Sequence, residues 1–122
     1  MKAFLALGAL AAAAAVGLGA FGAHALRARL SPDMLAVWQT AVQYHAWHAL
    51  GLLAVGFSVE SIWTKGAGWL LVAGIVLFSG SLYALALGAP RGLGVVTPFG
   101  GVAFILGWIA FAAGIICART PG

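Results

Sequence analysis

Charge is what this chain has least of. Only 7% of its 122 residues are charged, and its two acids, Asp33 and Glu60, stand far apart. That excludes a paired-carboxylate site, which needs two carboxyl groups in one place. It also excludes a soluble globule, because there are too few charges to cover a surface with polarity. Cysteine is nearly absent: Cys117 alone forms no intrachain disulfide and offers one thiolate at most. A glycine-rich phosphate loop followed by lysine is missing, as is a serine with an evident His/Asp set. The six basic residues are spread over termini and loops, so the net charge of +4 reflects membrane anchoring and topology rather than a nucleic-acid surface.

What the chain does have is apolar length. It is 64% hydrophobic, with 18 glycines. A hydrocarbon core of about 30 Å needs about 20 helical residues per crossing. Four uncharged stretches reach that length, at about 3–25, 34–59, 66–90 and 92–118. They predict an all-α integral membrane protein: one domain, 1–122, built as an up-and-down bundle of four transmembrane helices. Met1-Lys2 followed by an Ala/Leu/Gly run looks like a secretory signal, but the run exceeds the usual apolar region of about 7–15 residues, so the first span is expected to be retained. Both termini then share a side with Lys2, Lys65 and Arg119, and the other side carries Arg27, Arg29 and Arg91. Three basic residues against three leave the orientation open.

The turns differ in kind. Ser31, Pro32 and Asp33 form a helix start, with an N-capping hydroxyl, a proline at the first position and an acid facing the positive dipole end. The second helix is therefore expected to begin near Pro32. Trp63 and Trp69 bracket the next turn, as indoles do at headgroup depth, and Pro90 with its neighbouring glycines stops the third helix. In the fourth span Gly100, Gly107 and Gly114 are spaced seven apart, two helical turns, so they project from one stripe. Lipid offers no gain for burying leucine against leucine, so such a stripe serves helix packing.

One segment places polarity inside an apolar run: Gln43, Tyr44, His45 and His48. An intramembrane imidazole or phenol is costly unless paired, so this is where function is sought first. At about 100° per residue, Tyr44 and His48 share a face. Three uses compete. His45 and His48, with His24, could ligate a metal or haem, although matching carboxylate and thiolate ligands are lacking. His48 and Tyr44 could relay protons in a small-solute transporter or channel, although no intramembrane acid accompanies them. The third use is interhelical hydrogen bonding among Tyr44, His48, Ser79, Ser81, Tyr83 and Thr97.

Four motifs, in order along essentially the whole chain, resemble the signatures of domain of unknown function family 423. They are Gly19-Ala-Phe-Gly-Ala-His-Ala-Leu26, Tyr44-His-Ala-Trp-His-Ala-Leu50, Leu77-Phe-Ser-Gly-Ser-Leu-Tyr83 and Thr97-Pro-Phe-Gly-Gly101 followed by Gly107-Trp108. The resemblance implies a small four-span protein of the bacterial cytoplasmic (inner) membrane and implies no biochemical activity. It further implies that His24, Tyr44, His48, Ser79, Tyr83 and Thr97 occupy signature positions, whereas the position of His45 commonly holds another polar residue.

The expectation is thus a non-enzymatic accessory or interaction protein with one interhelical polar pocket of His24, Tyr44, His48, Ser79, Ser81, Tyr83 and Thr97. A proton-coupled or small-solute transporter is the alternative, and a haem- or metal-binding redox subunit the third. No cofactor or metal is assigned. The partners expected are the lipid bilayer and either another membrane protein or further copies of the chain, not nucleic acid.

Overall fold

A computed structural model describes residues 1–118. Arg119, one of the basic residues weighed for topology, lies outside the described residues. Four helices make up the fold of the described residues. Helix α1 comprises Lys2–Phe21 and continues through a π-helical turn, Gly22–Leu26. Helix α2 is Pro32–Phe57. Helix α3 runs through Ile62–Gly74, a second π-helical turn at Ile75–Ser79, and Gly80–Ala86. A 3-10 turn, Arg91–Val95, leads into α4, Thr97–Cys117.

Local chemistry explains the helix ends. Ser31 caps α2, its hydroxyl accepting from the Met34 N–H at 3.2 Å, with Pro32 and Asp33 in the first turn. Helix α3 starts at Ile62, ahead of the uncharged stretch that opens at Gly66, because Ser61 and Thr64 close a reciprocal capping box. That start puts Lys65 inside the helix, where it meets Glu60 at 3.1 Å. Both side chains are largely exposed, so the pair contributes little. Helix α3 gives out at Ala86, and the chain turns through Gly88 at φ 105°, a conformation that glycine adopts without strain.

Consecutive helices run antiparallel. Helices α2 and α3 form the central pair, α1 packs mainly along α2, and α4 packs mainly along α3. Phe4 of α1 reaches across to Gly68 and Trp69 of α3, so the starts of those two helices lie at the same end. One apolar cluster at that end and mid-depth joins all four helices through Phe4, Leu52, Val55, Ala67, Leu71 and Phe104. A second, at the opposite end, gathers Leu26, Trp38 and Ala86.

Helix α2 explains the division of polarity. Its buried residues Trp38, Ala41, His45, His48, Leu52 and Val55 alternate three and four apart, a heptad-like stripe facing the interior. Among the described residues, three helical segments, Lys2–Leu26, Ile62–Ala86 and Arg91–Cys117, are long and apolar enough to cross a membrane. Helix α2 is 26 residues long, but its glutamines, histidines and tyrosine make it more polar than the others.

The glycines of α4 face α3. Gly100 lies against the backbone of Phe78, Gly107 against Leu71 and Leu70, and Gly114 against Thr64 and Trp63.

Candidate functional site

Apart from Thr64, which belongs to the capping box that opens α3, the buried polar side chains occupy the α2–α3 contact and the start of α4. Each lies where its helix stripe turns inward. His45, on the α2 stripe, is 6% exposed, and its Nδ1 lies 2.8 Å from the Tyr83 hydroxyl of α3. With the phenol O–H donating to Nδ1, the proton of the neutral imidazole resides on Nε2. The bond ties α2 to α3. Tyr83 is held in turn by Trp38, ring centroids 4.7 Å apart.

Ser79 is fully buried at the end of the second π-helical turn and donates to the Ala41 carbonyl of α2 at 2.8 Å. A π-helical turn inserts an extra residue into the helical register, and this one ends at Ser79 where its hydroxyl meets α2. Ser81 donates to the Phe78 carbonyl at 2.9 Å, which uses its single hydroxyl proton. Its hydrogen bond with Thr97 at the start of α4 therefore has Thr97 as donor. Serine and threonine thus fasten α3 to both neighbours.

His48 is placed differently. Its Nδ1–H donates to the Tyr44 carbonyl one turn back, at 2.6 Å, and its ring lies flat on Phe104 with centroids 3.5 Å apart and planes 13° off parallel. Nε2 is left as the acceptor nitrogen. Tyr44 is half-buried, packed on Phe78 at 4.7 Å and Trp47 at 5.2 Å. It belongs to an aromatic cluster with His48, not to the His45–Tyr83 pair.

The residues expected to share one pocket are therefore divided among separate contacts. Ser81 meets Thr97, Ser79 meets the α2 backbone, Tyr83 meets His45, and Tyr44 and His48 stack among aromatics. His24 sits exposed in the π-helical turn that ends α1 and joins none of these bonds among the described residues. Being at the right depth did not bring it to the right azimuth. His45, set aside on the sequence, is the histidine that Tyr83 engages. The signal for it was the spacing of three and four from Trp38 through Val55, which puts His45 inside and Tyr44 at the margin.

All buried side-chain nitrogen and oxygen atoms among the described residues are hydrogen-bonded. No group of three His, Cys, Asp or Glu side chains is arranged there to hold a metal ion. What the layer can do chemically is hold helices in register, with imidazole and phenol at one junction. Tyr83→Phe, which removes the hydroxyl donor and keeps the ring, is expected to lower unfolding free energy in bicelles by about 1 kcal/mol. In a His45→Ala background the same change should cost nearly nothing, a coupling that a double-mutant cycle reads directly.

An all-helical chain with apolar helices of crossing length and an internally bonded polar layer is a membrane protein. It belongs to the family described as "Protein of unknown function (DUF423)", whose model matches residues 18–101, more than half of the chain. It is 55% identical to the UPF0382 membrane protein YwdK of Bacillus subtilis over 113 residues, covering 89% of this chain and 92% of the relative. It is 53% identical to the UPF0382 membrane protein SSP2132 of Staphylococcus saprophyticus over 116 residues, 93% of this chain and 97% of that one. No solved structure matches it.

Proposed function

We propose that this chain is a non-enzymatic four-span protein of the bacterial cytoplasmic membrane that acts as an accessory or interaction subunit. One observation carries the reading: the buried polar side chains are hydrogen-bonded within the protein, mostly between helices or to the helix backbone, rather than aimed at a shared cavity. Their polarity stabilises helix association, and the lipid-facing surface is left for contacts with other molecules.

Chain continuity supports α2 as a crossing. Phe4, near the start of α1, touches Gly68 and Trp69, near the start of α3, so both starts belong to one side. If α1 crosses, α2 must return the chain. Its 26 residues span about 39 Å at about 1.5 Å each, enough to do so. The histidines that lower its overall apolarity face inward.

Single cysteines at Ser31 and Ser58, in a Cys117→Ser background, test this. A membrane-impermeant maleimide should label one from each face of the membrane. Labelling of both from the same face would overturn the four-span reading. A proton-coupled or small-solute transporter is the second reading, because imidazole and phenol at the His45–Tyr83 junction are able to pass a proton. Proteoliposomes holding a pH-sensitive dye are expected to show no flux. A flux abolished by His45→Ala would replace the accessory reading with the transporter.

A further inference from the structure

Two carboxamides point the wrong way for a monomer. Gln39 and Gln43 are four apart on α2, share one face, and are both exposed. The α2 side chains that form hydrogen bonds are Trp38, Thr40, His45 and His48. Neither glutamine does so among the described residues. Counted from Pro32, Gln43 lies about 16 Å along the helix axis at about 1.5 Å per residue, well past headgroup depth. A carboxamide facing hydrocarbon at that depth has lost its water and gained nothing in return.

The surface beside them is shaped for a close neighbour. Gln39 and Gln43 line a cleft of about 390 Å³ between α1 and α2, whose α1 wall is Gly19, Gly22 and Ala23. The cleft floor includes Trp38 and Val42. Gly19 and Ala23 on that wall, Gly22 being covered by the Trp38 indole, let another helix approach until a glutamine on it could reach Gln43.

We propose that this face pairs with the same face of a second copy of the chain, Gln43 bonding Gln43 across a twofold axis with Gln39 beside it. A primary amide carries both two donors and an acceptor, so it is complementary to itself, and a twofold interface places identical groups opposite each other. A partner of other chemistry would need its own matching donor and acceptor at that depth; a second copy supplies them without further assumption. The proposal rests on α2 crossing the membrane.

One variant separates the two ideas. In a Cys117→Ser background, Gln43→Cys is exposed to a water-soluble maleimide and, separately, to copper phenanthroline in native membranes, with Val76→Cys on the outer face of α3 as control. The expected result is no maleimide labelling of Gln43→Cys and a disulfide-linked dimer that Val76→Cys does not give. Protection from maleimide without a cross-link overturns the dimer and leaves the four-span reading standing. Labelling by maleimide overturns both.

The cysteine-free protein in nanodiscs supplies the second arm. Native mass spectrometry should find a dimer whose dissociation constant rises by about tenfold or more in Gln39→Leu/Gln43→Leu. Leucine on a lipid-facing surface does not endanger folding, so unchanged helical circular dichroism is expected alongside the loss of dimer, with a thermal midpoint lower only by what dimerisation contributes. A double variant as dimeric as its parent, or a parent that recovers only as a one-to-one complex with a different membrane protein, overturns the proposal.

Discussion

Gly100→Ala is expected to destabilise the bundle by about 3 kcal/mol, the upper end of the range for overpacking. The added methyl would run into the backbone nitrogen and α-carbon of Phe78. Backbone cannot rotate aside as a side chain can, and Phe78 lies in the π-helical turn that sets Ser79 against α2. Relief therefore requires α3 and α4 to separate, which also lengthens the Ser81–Thr97 contact. Gly107→Ala meets chiefly the end of the Leu71 side chain, at 2.9 Å, and should cost less because that end can shift. At Gly17, exposed in α1, an added methyl meets no atom within 4 Å. Gly17→Ala should stabilise by about 0.5–1 kcal/mol through helix propensity alone. Unfolding free energies measured by steric trapping in bicelles would order the three. Equal stability of Gly100→Ala and the parent would show that the α3–α4 contact is not as close as its geometry requires.

What the sequence shows of this fold depends on range. Helices are local objects: uncharged runs, Ser31 before Pro32, and glycines seven apart in α4 are all legible within a few turns. The capping box at Ser61 is equally local, although the neighbouring tryptophans and Lys65 also mark this segment as a turn. The π-helical turns, Gly22–Leu26 and Ile75–Ser79, leave no comparable mark in the sequence. The polar layer is harder still. His45 and Tyr83 are 38 positions apart, as are Ser79 and Ala41, and nothing in one helix names a partner in another. The shared face of Tyr44 and His48, together with the signature positions that the family resemblance implies, points to those two residues. The whole α2 stripe from Trp38 to Val55 points instead to His45 and His48, because azimuth is a property of the full helix. Family membership, by contrast, was legible from four short motifs, and the matching relatives carry it across nearly the full length.

Trp38→Ala should be the most damaging single change on the α1–α2 side, at about 3–5 kcal/mol. The indole is 2% exposed, lies 4.7 Å from Tyr83 and 6.1 Å from Phe21 by ring centroids, and donates from Nε1 to the Leu18 carbonyl at 3.0 Å. Leu18 also accepts from the Gly22 N–H, so removing the indole leaves no orphaned acceptor. The loss is mainly one of packing: a cavity beneath the first π-helical turn, and a Tyr83 ring no longer held toward His45. Trp38→Phe, which keeps an aromatic ring and drops the N–H donor, should therefore cost only about 1 kcal/mol. Gly22 supplies the decisive control. A methyl there would lie 2.5 Å from the indole, so Gly22→Ala alone should destabilise by overpacking. In a Trp38→Ala background the same methyl enters vacated space and should be neutral or stabilising. The two changes are thus expected to couple strongly in a double-mutant cycle. Simple additivity would mean that Trp38 does not fill the notch at Gly22.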